Sequence, residues 1–178
     1  MARRVIFSGQ HLGLADIDGY HQDAEASLRL YFSSASPTYT VRFLGCSMLE
    51  VTEQLHARLV ESQLRASLTV LSSLEAAFRI DYLQRCYHRD RSEITRCFRD
   101  LYKEHAEHVR LDEHILDNWA MYFPVTRALV GEIKVAFRFR HWLAHGRYYT
   151  PKLGRNFDYL YLYELADEVF ESFPFLAS

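Results

Sequence analysis

A chain of 178 residues, 49% of them hydrophobic, is long enough to enclose one sizeable core. Its net charge of −2 argues against general adhesion to polyanions, and no apolar run approaches the roughly 18 residues that a membrane span needs. The cysteines Cys46, Cys86 and Cys97 are too widely spaced for a disulfide framework or a zinc pattern, so a reducing cytoplasm is the expected setting.

The N-terminus, MARRVIFSGQ, opens basic, but its short apolar run does not make a secretory signal. Within it RRVIF reads as a short strand, and Gly9, Gly13 and Gly19 place a loop after it. ASLRLYF (26–32) and TYTVRFL (38–44) alternate apolar and polar residues around SSASP, which predicts a β-hairpin. Residues 1–45 are therefore expected to form an N-terminal hairpin or extension, and residues 46–178 a helical domain.

From Ser47 to about His88 there is no Gly or Pro, and Leu64, Leu68, Leu71, Phe78 and Tyr82 recur at helical spacing. One long helix or two in series fit. DRSEITRCFRDLYKEH (90–105) predicts another helix, with Asp90 or Ser92 near its start. LDEHILDNWAMYF (111–123) reads as short helix or turn. Pro124 then stands at a favoured first-turn position, ahead of a helix that runs to Gly146. TPKLGRN (150–156) is a loop, and FDYLYLYELADEVFESF (157–173) a closing amphipathic helix. The predicted fold is mainly α, a bundle of four or five helices with the hairpin in front.

Charge is distributed unevenly. Between Arg127 and Arg155 stand Arg127, Lys134, Arg138, Arg140, Arg147, Lys152 and Arg155, against Glu132 alone, whereas residues 156–178 carry no Lys or Arg. A local basic patch on a neutral protein suits one anionic site, or else a solvated face. On a helical wheel the apolar residues of 125–145 fill an arc from about 0° to 140°, and Arg140 falls near 60°, in its middle. Arg127, Lys134, Arg138, His141 and His145 make a basic flank. The long helix carries the opposite anomaly, because its apolar stripe steps through position 75, which is Glu75. An unpaired buried carboxylate is costly, so Glu75 and Arg140 are expected to face one another or share a cleft, with Arg79 one turn away. A buried ion pair that only fixes helix register would satisfy the same pattern.

RHWLAH, an Arg-x4-His with a polar residue directly after the arginine, stands near the end of the penultimate helix. It resembles the Arg-x4–6-His motif of the HEPN superfamily, compact α-helical domains often found as bacterial toxins and defence nucleases. LEAAFR (74–79) resembles that family's earlier helix, which often carries Glu-x3-Lys/Arg. The resemblance covers roughly residues 47–173. It implies metal-independent RNA cleavage by attack of a ribose 2′-OH, leaving a 2′,3′-cyclic phosphate. In that reading His145 takes the proton, since imidazole titrates near working pH. Arg140 binds the phosphate and stabilises its growing charge, Glu75 orients Arg140, and His141 positions RNA or transfers a proton. Arg79, Lys134, Arg138, Arg147 and Tyr148 are the expected RNA-binding residues. The resemblance also implies RNA as partner, a homodimer whose two motifs line one cleft, and an antitoxin or regulatory protein, with no membrane, no metal and no cofactor.

Arg140 and His145 lie about 140° apart on an ideal helix, so they converge only if the helix ends near His145, which Gly146 permits. Where several toxin members have a tyrosine, two residues after the histidine, this chain has Arg147. His105, His108 and His114 are read as solvent-facing rather than metal-binding, and no phosphate-binding glycine loop or G-x-S-x-G elbow is present. The alternative function is a non-catalytic HEPN-like module that holds RNA, a nucleotide or a protein partner.

Overall fold

The computed structural model describes residues 4–88 and 91–176. Among them there are seven α-helices and no strand. They are α1 (Leu14–Tyr31), α2 (Tyr39–Arg42), α3 (Met48–Tyr87), α4 (Glu93–His105), α5 (Asp117–Tyr122), α6 (Arg127–Ala144) and α7 (Tyr159–Ser172). None of the described helices is long and apolar enough to cross a membrane.

α3 is the organising element. Its 40 residues would span about 60 Å if straight, and α1, α4, α6 and α7 all pack on it. A capping box starts it: Ser47 Oγ accepts from the Glu50 amide, and Glu50 accepts from the Ser47 amide at 2.7 Å. Leu71, Leu74, Phe78 and Tyr82 then enter the core with Phe98 of α4, Ile133 and Ala136 of α6, and Leu162 and Val169 of α7. Ser92 caps α4, while Asp90 lies outside the described residues. Asp158 caps α7 by accepting from the Tyr161 amide at 2.8 Å. Between α4 and α5 the chain makes a π-helical turn, Leu111–Leu116, that runs directly into α5.

The N-terminal hairpin is not formed. Residues 26–31 continue α1, and 39–42 form the single turn of α2. The helical stripe Ile17, His21, Leu28, Phe32 explains the difference, with steps of four, seven and four residues. Ile17 and His21 are buried, whereas Leu30, which the strand alternation needs on the same face, is 64% exposed. Gly13 is the N-cap of α1, and Gly19 lies inside it. Of the proposed strand RRVIF, residues 4–7 have no regular structure and Arg3 lies outside the described residues. Ile17 belongs to the main core, and α1 packs on α3 and α7. Phe32, Phe43 and Val51 form a satellite cluster that ties α1 and the α2 turn to the start of α3.

Candidate functional site

α6 delivers Arg140 to the C-terminal half of α3, at Glu75. The Arg140 guanidinium lies 3.1 Å from Glu75 through Nη2, and Arg79 Nε donates to the other Glu75 oxygen at 2.8 Å. One carboxylate thus holds two arginines. Arg79 also donates to the Val109 carbonyl at 3.4 Å, which fixes it to the segment before the π-helical turn. The expected pairing across helices is formed, but outside the dry core. The Glu75 side chain is 18% exposed and that of Arg140 33%, because α6 meets α3 there at the wall of an open cavity.

This cavity measures about 440 Å³. Glu75, Arg138, Arg140 and His141 line it from the two helices, Asp112 from the π-helical turn, and Tyr149 and Lys152 from the loop after α6. Among the described residues Arg140 Nε is enclosed without a hydrogen-bond partner, and Nη1 has none either. The arginine is therefore fixed on one side by Glu75 and retains donor capacity on the other.

The end of α6 explains how the loop reaches the cavity. His145 caps the helix, its amide donating to the His141 carbonyl at 3.0 Å. Gly146 and Arg147 follow in the left-handed region, at φ 82° and 56°, so the chain turns sharply back. Arg147, which tolerates that conformation poorly, is clamped: its guanidinium donates to both oxygens of Glu61, at 2.8 and 3.2 Å. The Trp142 indole donates to the Tyr149 carbonyl at 2.5 Å and pins the returning loop.

The histidines divide at this turn. His141 lines the cavity, and His145 packs against it with ring centroids 4.1 Å apart, but does not itself line it. Both are exposed. The other expected binding residues are scattered. Lys134 pairs with Asp117 at 2.5 Å, Arg147 with Glu61, and Tyr148 stands 83% exposed against Tyr149. Sequence reasoning singled out neither Asp112 as a cavity residue nor Glu61 as the partner of Arg147. His105 and His114 stack on one another at 4.7 Å, away from the cavity.

A larger groove of about 630 Å³ runs between α1 and α3. It includes Arg58, Glu61 and Arg65, but it contains neither Arg140 nor either histidine of the motif. The smaller cavity is the better candidate because an arginine held by a carboxylate and an imidazole ring meet there.

The Arg147 guanidinium holds the Glu61 carboxyl below its usual value of 4.5, against a smaller opposing effect of burial. A depressed carboxylate stabilises the fold above its ordinary pKa and stops doing so as pH falls through the lowered folded value. The turn at 146–149 is therefore expected to loosen below about pH 4.5. Hydrogen exchange there, corrected for intrinsic rates, should accelerate on acidification in the wild type. In Glu61→Gln it should already be fast at neutral pH, with little further change.

No protein-family model, no curated protein and no solved structure matches this chain.

Proposed function

We propose that the chain is a metal-independent endoribonuclease of the toxin or defence type, similar to the HEPN superfamily. The observation that carries this reading is the Glu75-held Arg140 in a cavity that His141 lines, with the His145 ring packed against His141 from outside it. His145 takes the proton from a ribose 2′-OH, and the freed oxygen forms a bond to the adjacent phosphorus. Arg140 spreads its charge over the phosphate oxygens that become more negative. The phosphorus–O5′ bond breaks, and His141 returns a proton to the departing oxygen. The products are a 2′,3′-cyclic phosphate and a 5′-hydroxyl end. Arg138 and Lys152 meet the flanking backbone, and Tyr149 offers a ring to a base. Arg79 fixes Glu75, and Arg147 fixes the turn that carries His145.

The partners that go with this reading are RNA, a second copy of the chain that brings its own motif to the cleft, and a protein that restrains cleavage in the cytoplasm. The test uses a single-stranded RNA and the same strand with 2′-deoxyriboses at the cleaved positions, both in excess EDTA. The RNA should be cut to cyclic-phosphate ends and the deoxy strand left whole. Cleavage of the deoxy strand, or dependence on added metal, would remove the mechanism.

The second reading is a binding module without catalysis. It is favoured by the place of His145, beside the cavity rather than in it. RNA that is retained but never cut by the folded wild type would select it.

A further inference from the structure

Two carboxylates, Glu75 and Asp112, line the cavity that the proposed function reads as a phosphate site. Glu75 is accounted for by its two arginines. Asp112 is not. Among the described residues its side chain makes no hydrogen bond or ion pair. The nearby cations Lys134 and Arg110 are paired with other carboxylates, Asp117 at 2.5 Å and Glu113 at 2.9 Å. Arg138, the remaining cation in its field, is exposed on the cavity rim. The π-helical turn sets Asp112 there: the Ile115 and Asp117 amides bond back five residues, which widens the turn. Such distortions recur at functional sites.

An ionised aspartate only accepts hydrogen bonds, and it offers two oxygens side by side. It therefore repels phosphate and selects a group with paired N–H donors. Among the RNA bases, guanine alone has two adjacent donors on its Watson–Crick edge, N1–H and the 2-amino group. Adenine and cytosine set a single amine beside a bare ring nitrogen, and uracil flanks its one N–H with two carbonyls. The cavity volume of about 440 Å³ suits a single nucleotide. Arg140 and Lys152 suit its phosphate, and the Tyr149 ring is 43% exposed at the wall for stacking.

We propose that Asp112 is a specificity-determining residue that selects guanine for the position next to the phosphate held at Arg140. This rests on the reading of the cavity as a nucleotide site, but not on cleavage there. Two sources share the chemistry, a guanine within RNA and a free guanine nucleotide.

The experiment measures binding of 3′-GMP, 3′-IMP, 3′-AMP, 3′-CMP and 3′-UMP by calorimetry, then maps cleavage on an RNA of mixed sequence. A bidentate base contact is worth roughly tenfold or more. Wild type should therefore bind 3′-GMP about tenfold tighter than the others, 3′-IMP included, because inosine lacks the 2-amino donor. Asp112→Ala and Asp112→Asn should lose that preference. Equal affinities in the wild type, or a preference that survives both substitutions, overturns the assignment. The inosine comparison tests the paired-donor contact on the wild type alone, and equal affinity for 3′-GMP and 3′-IMP there overturns the assignment whether or not the variants fold. Guanine preference without RNA cleavage supports this assignment, points to the free nucleotide and retires the nuclease reading. Cleavage without base preference does the reverse.

Discussion

Replacing Arg140 with alanine should lower the rate of RNA cleavage about 10²–10³-fold while leaving a folded protein. The size follows from removing one preorganised cationic donor from a phosphate that gains charge in the transition state. The fold should survive because Glu75 keeps Arg79 on its other oxygen at 2.8 Å. An ion pair this close to solvent contributes no more than about 1 kcal/mol. Arg140→Lys separates charge from geometry. Its ammonium is a point charge and cannot engage Glu75 and a phosphate at once through a planar fork, so most of the loss should remain. Single-turnover rates and a urea melt on both variants check this. A full rate with either variant would return Arg140 to a purely structural part.

Asp81→Ala should be among the most damaging single changes to stability at the described charged residues, about 3–5 kcal/mol. Asp81 is 1% exposed in the core-facing wall of α3. One oxygen accepts from Arg85 Nε at 2.8 Å and the other from the Leu176 amide at 2.9 Å. Arg85 in turn donates to the Pro174 carbonyl at 2.6 Å and lies 5.1 Å from the Trp119 ring centre. This pair clasps the C-terminal segment onto α3. Without Asp81 the guanidinium stays buried with its charge unpaired, and the Leu176 amide loses its acceptor. A double variant, Asp81→Leu with Arg85→Met, removes both charges and should recover much of the loss. Urea unfolding midpoints decide it. A single variant within 1 kcal/mol of wild type would mean that water enters the site freely.

These two ion pairs also mark how far the sequence can be read. Glu75 and Arg140 each interrupt a long apolar stripe at a position set by steps of three and four, so their pairing was legible from period alone. Asp81 and Arg85 stand on the same helix with the same i, i+4 spacing as Glu75 and Arg79. Their burial depends on a chain end that returns from 95 residues away, which no local pattern carries. The helices α3, α4 and α6 were legible because caps and breakers bound them, Ser47, Ser92 and Pro124 among them, and α7 from its amphipathic run, although the Asp158 cap starts it at 159 rather than 157.

The first segment misled for a physical reason. Leu28, Leu30 and Phe32 do alternate, but three residues fit both periods. The longer stripe that decides for helix includes a buried histidine, His21, and crosses Gly19. At 39–43 the burial again follows helical spacing: Tyr39 and Phe43 rings meet at 5.1 Å while Val41 points to solvent. Asp112 was illegible because a π-helical turn, not a regular helix, aims it. The separation of His145 from the cavity was foreseeable in outline, since five residues carry it about 140° from Arg140. Its contact with His141 was not.

The measurement closest to the central claim is single-turnover cleavage of end-labelled RNA in EDTA by the wild type and by His145→Ala, with circular dichroism on both. General base catalysis contributes about 10²–10⁴-fold. The account predicts cleavage by the wild type to 2′,3′-cyclic phosphate ends and a loss of that size in the folded variant. Equal cleavage by the two proteins, or RNA left intact by the folded wild type, would contradict it.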